Sequence, residues 1–195
     1  ELSLFRKIYE SALALQVEAY VIGGFVRDKL MGRPSNDADI VCVGDAIELA
    51  HRVAGAFHPK PVVSFFKNFG TAHISVPDPG TETGMLDVEF VGARVESYRS
   101  SSRKPDVTAG TLEDDQKRRD FTINALAISL HPDDSGKLID PFNGLKDIKE
   151  KRIRTPGNPV DTLSDDPLRM LRAISFASQL GFSIDPVTFD AITED

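Results

Sequence analysis

Asp37 and Asp39 stand two residues apart at the entrance to the apolar run Ile40–Val43. On an extended strand, positions i and i+2 point the same way, so this spacing sets two carboxylates side by side. Two like charges so placed repel unless a cation sits between them, and hard oxygen ligands of this kind suit Mg²⁺ carrying substrate phosphates. A solvated acidic turn ahead of a strand is the plainer alternative. Just upstream, Val21-Ile22-Gly23-Gly24-Phe25-Val26-Arg27-Asp28 reads as strand, glycine pair and helix. Gly23 and Gly24 would let backbone N–H groups approach a phosphate, and a helix N-terminus favours its charge. Arg27, one turn in, would add a charge-assisted contact. Taken alone, the glycines need do no more than end a strand; the acidic pair downstream favours the phosphate reading. Two-metal phosphoryl transfer asks for a third acid. The strand-like Leu86-Asp87-Val88-Glu89-Phe90 offers Asp87 and Glu89, of which Glu89 is the favoured candidate.

Two more clusters carry chemistry. In Lys117-Arg118-Arg119-Asp120-Phe121-Thr122-Ile123-Asn124-Ala125, basic residues beside Asp and then Asn could hold a phosphate and a ribose hydroxyl. A surface charge cluster over buried Phe121 and Ile123 is the alternative. In Asp165-Asp166-Pro167-Leu168-Arg169-Met170-Leu171-Arg172-Ala173, Asp166 and Arg169 are three apart and share a helix face. Asp accepts hydrogen bonds, and Arg donates several in a fixed plane. Cytosine and adenine each show an amino donor beside a ring acceptor, whereas guanine and uracil show the reverse order. An Asp/Arg pair would therefore accept C and A and leave buried polar groups unpaired against G and U. A capping Asp with an intrahelical ion pair, worth about a few tenths of a kcal/mol, is the other reading.

These residues need elements to hold them. Apolar spacing predicts helices over 2–17, 25–31 and 46–57, with strands at 20–22, 40–43, 62–66, 72–76 and 86–91. Tyr98 to Thr111 is polar and reads as a mobile loop, Leu112 to Leu130 as mainly helical, and Pro156 to Thr162 as a linker. A helix over 167–180 starts with Asp166 as N-cap and Pro167 at the first helical position. The expected fold is α+β: a small mixed sheet packed on helices over 1–155, then a linker and the start of an all-helical unit over 156–195.

Composition sets bounds. The chain has 195 residues, 23 basic and 30 acidic, with a net charge of −7. That is ordinary globular chemistry and excludes a fibrous or disordered chain. It does not suggest binding of nucleic acid by bulk charge, so any RNA-binding surface must be local or lie outside these residues. One cysteine, Cys42, excludes a disulfide framework and cysteine-based zinc, and fits a reducing compartment. The four histidines, His51, His58, His73 and His131, lack ligand-like spacing and read as structural. No apolar run approaches the roughly 20 residues of a membrane span, and no signal peptide is evident, so a cytoplasmic location without membrane contact is expected.

Together the strings GGFVRDKLMG with DAD, RKPDVTAGTLEDDQKRRDFTINALA, IDPFNGLKDI and DDPLRMLRAISFA resemble the class II tRNA nucleotidyltransferase and bacterial poly(A) polymerase family, within the DNA polymerase beta superfamily. The resemblance runs from about Tyr20 to Phe182, and implies a nucleotidyltransferase head followed by a neck. It implies that Gly23, Gly24 and Arg27 contact the triphosphate and that Asp37 and Asp39 bind the catalytic Mg²⁺. By the same resemblance Arg119 and Asp120 hold the nucleotide, with Asp120 on the ribose. Asp166 and Arg169 read the base, and Arg172 positions the nucleotide. Asp140–Asp147 matches a hinge-like motif, and Arg94 with the segment after Tyr98 matches a loop used in switching nucleotide. The chain departs from the family's usual Leu-Arg-Ala-x-Arg-Phe at Ser175. The implied reaction is CCA addition from CTP and ATP to a tRNA 3′ end, with most of the tRNA grip lying beyond these residues. Poly(A) synthesis and CC-only or A-only addition share the same head. A binding-only module is a different class, which the intact acidic pair argues against.

Overall fold

The computed structural model describes residues 2–97 and 106–193. The chain opens with α1 (Leu2–Leu15), which buries Leu4, Ile8 and Ala12, four residues apart, as one stripe. Then come β1 (Glu18–Ile22), α2 (Gly24–Leu30), β2 (Asp37–Val43) and α3 (Ala46–Gly55). Asp45 caps α3 by accepting from the Ile47 and Glu48 amides. The strands β3 (Ser64–Phe66), β4 (Thr71–Pro77) and β5 (Met85–Gly92) follow. β6 (Arg94–Ser97) and β7 (Asp106–Ala109) form a separate antiparallel pair. The predicted mobile loop falls partly here: 98–105 lie outside the described residues, and 106–109 are strand. Next are α4 (Leu112–Lys117), β8 (Ala127–Ser129), β9 (Leu138–Ile139) and α5 (Gly144–Lys149). The last elements are β10 (Arg152–Ile153), α6 (Pro159–Asp165), α7 (Leu168–Leu180), β11 (Ser183–Ile184) and α8 (Pro186–Thr193). No helix among the described residues is long and apolar enough to cross a membrane.

Seven strands make the main sheet, in the order β3-β4-β5-β2-β1-β8-β9. Its pairs are antiparallel except β2 with β5, which run parallel. Strand alternation divides its faces. Ala38, Ile40 and Cys42 of β2, and Leu86, Val88 and Phe90 of β5, enter the large core with Leu49, Ala50 and Val53 of α3. The intervening residues, Asp37, Asp39, Asp87 and Glu89, occupy the opposite face. A slip of one residue in β2 would drive its aspartates into that core, so burial of one face fixes the register of the other.

The stretch Leu112 to Leu130 departs from expectation. It is not one helix: α4 ends at Lys117, a short helical turn covers Thr122–Asn124, and β8 follows. Two competitors stop the helix, one local and one long-range. The Asp120 carboxylate accepts from the Phe121 amide. Downstream, Ala127 pairs with Ile22 across the sheet. The linker also differs, because Asn158 caps α6 with Pro159 in its first turn, which is helix-start chemistry. α7 begins at Leu168, one residue late, although Asp166 Oδ1 still accepts from the Leu168 amide at 3.1 Å.

A second core gathers Phe121, Ile123, Ile153, Ala173 and Phe182, with Met31, Phe176 and Leu180 packed against it. It draws on both sides of residue 155. The parallel β10–β11 pair and the Arg152–Asp185 ion pair at 3.3 Å reinforce the same seam. Within the 140–147 motif, Asp140 accepts from the Gly144 and Leu145 amides. A Cβ on Gly144 would overlap the Thr122 carbonyl oxygen. Asp147 takes Thr122 Oγ1 at 2.6 Å and Arg154 Nε at 3.0 Å, so this motif clamps the 121–124 segment to the strand that leads away from it.

Candidate active site

The site lies on the sheet face opposite the large core. In the parallel β2–β5 pairing, Asp37 is opposite Asp87 and Asp39 opposite Glu89. Four carboxylates therefore sit on adjacent strands on one face. Burial raises the Asp39 carboxyl above the usual range; the Arg119 guanidinium pulls it down, and Asp37 and Asp115 push it up again. Glu89 is raised as well, first by loss of water and then by the charge of Asp39, against the pull of His73, Arg94 and Arg119. His73 sits opposite Glu89 and its Nε2 lies 3.2 Å from Asp87 Oδ1. That contact engages Asp87 and separates it from Glu89 in chemistry. Among the described residues, no three acidic, His or Cys side chains form a ready-made metal cage.

Above Asp39, the chain turns from β1 into α2 at Gly23. Its φ of +82° and ψ of −143° belong to a region that only glycine adopts without strain. Space makes the same demand: a Cβ there would lie 2.9 Å from both Asp39 Oδ2 and Arg119 Nη1. Gly23 is thus where acid, guanidinium and bare backbone meet. Gly24 is less constrained, since its Cβ would make an ordinary 3.5 Å contact with Arg27 Nη2.

The cationic residues are less free than expected. Arg27 is buried; its Nε and Nη2 donate to the two Asp28 oxygens at 2.9 Å, and its Nη1 donates to Asn124 Oδ1 at 2.7 Å. Asp120 is fully engaged. Its Oδ1 accepts from the Phe121 amide at 2.8 Å and Asn124 Nδ2 at 3.0 Å. Its Oδ2 accepts from Arg172 Nε at 2.7 Å and approaches Arg172 Nη2 at 2.6 Å. A carboxylate offers about four acceptor positions, so a ribose hydroxyl reaches Asp120 only by displacing one of these donors. The Phe176 ring takes both Arg27 and Arg172, whose guanidinium carbons lie 5.1 and 5.0 Å from its centroid, in a double cation–π arrangement. Ser175, beside it, is exposed.

Asp166 and Arg169 share the start of α7, but the Arg169 guanidinium turns to main chain. Nη1 donates to the Thr162 carbonyl at 3.1 Å and Nη2 to that of Arg118 at 2.8 Å. Among the described residues, its Nε–H and one further N–H on each terminal nitrogen have no hydrogen-bond acceptor, which suits a planar edge. Arg119 donates from Nε to Asp115 Oδ2 at 3.2 Å.

Sequence reasoning missed Asp115 and Phe176 as organisers of this cluster, and it placed Asn124 among ligand-holding residues, whereas its side chain joins Arg27 to Asp120. For Asp115 a signal existed, since it stands three and four residues before Arg118 and Arg119 in a helical stretch. For Phe176 half a signal existed, since Arg172 stands four residues before it on α7, but Arg27 and Phe121 lie far away in sequence.

Comparison with known proteins supplies the family. The profile described as Poly A polymerase head domain matches residues 19–154. The chain is 43% identical over 176 residues to an A-adding tRNA nucleotidyltransferase from Aquifex aeolicus, covering 88% of this chain and 20% of that protein. It is 39% identical over 201 residues to a CCA-adding enzyme from Ligilactobacillus salivarius, covering 100% of this chain and 43% of the relative. The chain therefore spans less than half the length of either protein. A crystal structure of a tRNA nucleotidyltransferase complexed with a primer tRNA and an incoming ATP analog superposes with a TM-score of 0.79 at 38% identity, over 96% of this chain and 49% of that one. With the acidic strand pair, the glycine turn and the Arg-Arg-Asp segment all inside the matched region, the chain belongs to the poly(A) polymerase head domain family.

Proposed function

We propose that the chain is the catalytic head of a Mg²⁺-dependent RNA nucleotidyltransferase that adds CMP and AMP units to a tRNA 3′ end without a template. The observation that carries this reading is the register of β2 on β5, which sets Asp39 against Glu89, with Asp37 on the same face, beside Gly23 and Arg119. Asp39 is costly to keep ionised there, and a divalent cation would offset both the burial and the like charge. Asp37 and Asp39 would hold the metal, with Glu89 beside them; bound Mg²⁺ supplies charge neutralisation for phosphoryl transfer. In the reaction, the primer's 3′-hydroxyl oxygen bonds to the α-phosphorus, the α–β bridging P–O bond breaks, and pyrophosphate leaves. Arg119 bears on the triphosphate. Asp120 takes the ribose once Arg172 yields, and Arg172 then serves the nucleotide. Asp166 and Arg169 present an acceptor and donors to the base edge. Gly23 and Gly24 keep the phosphate approach bare, and Arg27 braces that turn from below. Most of the work is positioning and electrostatics. The setting is cytoplasmic, with tRNA gripped largely by parts of the protein outside these residues.

The similarity to an A-adding relative keeps A-only addition as a second reading. Calorimetry of CTP, ATP, GTP and UTP with Mg²⁺ decides. Binding of CTP and ATP but not GTP or UTP is the expected result, and ATP alone would favour the A-only enzyme. Equal binding of all four would remove Asp166 and Arg169 as base readers. Unchanged Mg²⁺ affinity in Asp39→Ala would remove the metal site.

A further inference from the structure

Asp115 is fully buried, yet it carries a carboxylate. An ionised group so placed is tolerated only when paired and hydrogen-bonded. It is held by two guanidiniums at once. Oδ1 accepts from Arg118 Nε at 3.0 Å and also from Arg118 Nη2. Oδ2 faces Arg119 Nε and Nη2, both at 3.2 Å. Arg118 and Arg119 then diverge. Arg119 Nη1 reaches the Gly23 turn beside Asp39, on the phosphate and metal side. The Arg118 carbonyl accepts from Arg169 Nη2 at 2.8 Å, on the base side. One buried carboxylate thus holds both guanidiniums of the cluster at once.

The fold of α4 has other anchors. Thr111 and Asp114 form a reciprocal capping box. Gln116 Nε2 donates to the Ala125 carbonyl at 2.6 Å and the Ile139 carbonyl at 3.2 Å, tying the helix to β8 and β9. The helix thus keeps its place without help from Asp115, which leaves the two arginines as what Asp115 organises.

We propose that Asp115 is a positioning residue that touches no substrate and sets Arg119 and Arg169 as one unit, so that triphosphate grip and base choice are coupled through it. This rests on the nucleotidyl-transfer reading above. It predicts that a neutral isostere damages two functions which a local defect would damage singly.

The test is Asp115→Asn, with Mg²⁺-dependent binding of CTP, UTP and inorganic triphosphate measured by calorimetry on native and variant chains, and folding checked by circular dichroism. Asn keeps one acceptor oxygen and turns an N–H pair toward one guanidinium. The expected result is a loss of about tenfold in inorganic triphosphate affinity, the size typical when an outer partner of a site is removed, together with a smaller CTP-over-UTP preference. Asp115→Glu should recover part of both. Loss of triphosphate affinity with an unchanged CTP-over-UTP ratio would overturn the coupling, and so would a variant that binds all three like the native chain. If Asp115→Asn does not fold, Arg118→Lys takes its place: the CTP-over-UTP ratio should fall more than triphosphate binding does, and an unchanged ratio overturns the proposal. A native chain that binds no nucleotide, or all nucleotides alike, would instead count against the function proposed above.

Discussion

The two halves of the candidate site solve opposite electrostatic problems. On the sheet, Asp37, Asp39 and Glu89 crowd like charge onto adjacent strands, and both Asp39 and Glu89 are harder to ionise, first through burial and then through that like charge. On the helical side, Arg27, Arg119, Asp120 and Arg172 are matched acid to base, so that Asp120 has no acceptor position left. Under the proposed function, a cation would relieve the first half, whereas a nucleotide would have to exchange partners with the already satisfied second half. Substrate binding should relieve the one and cost the other, which is a way of making metal and nucleotide depend on each other.

Asp39→Asn breaks the comparison most strongly. Catalysis should fall on the order of a thousandfold or more, the scale seen when a principal electrostatic element is lost. The folded protein should nevertheless become more stable at neutral pH. A carboxyl raised on folding destabilises the native state wherever it is ionised, and the penalty fades as pH falls through the native pKa and vanishes below the unfolded one. Thermal melts of native and variant chains from neutral to acid pH should therefore converge. Equal melting temperatures at neutral pH would show that the acidic half is not strained.

Gly23→Ala comes next. The new methyl would press on Asp39 and Arg119 from a backbone region closed to alanine, costing about 1–3 kcal/mol. Nucleotide affinity should drop with it, since the point where the halves meet is displaced. Chemical denaturation and nucleotide titration of the same variant would check both.

The smallest effect is expected from Arg172→Leu, which sharpens the contrast by unlocking the satisfied half. The Arg172 side chain is half-exposed but Asp120 is buried, so loss of the pair should cost more than an exposed ion pair, about 1–3 kcal/mol, offset in part by the Phe121 and Asn124 donors that remain. Two acceptor positions on Asp120 are then released for a ribose. Overall nucleotide affinity should fall severalfold while the preference for CTP over 2′-deoxy-CTP rises. A fixed ratio in competition binding would remove Asp120 from the ribose.

How much of this was legible follows from the range of each interaction. The shared face of Asp37 and Asp39 is a local consequence of strand geometry, and the strand-glycine-helix turn at Gly23 is nearly as local. That β5 lies beside β2 and sets Glu89 against Asp39 depends on sheet order, which no periodicity encodes. The Leu112–Leu130 helix failed because apolar spacing at Phe121, Ile123 and Leu126 is ambiguous between periods, and pairing of β8 with β1 decided it. The engagement of Asp120 by Arg172 was hidden for the same reason, since 52 positions separate them.

The second core also bears on how such proteins recombine. Phe121 and Ile123 share one apolar interior with Ala173 and Phe182. A hybrid that joins the first 155 residues of one relative to the residues that follow in another splits that interior between two ancestries. Viable exchanges should therefore carry the 121–123 segment together with α7, even though a crossover at the loop after Thr155 looks innocuous on the surface.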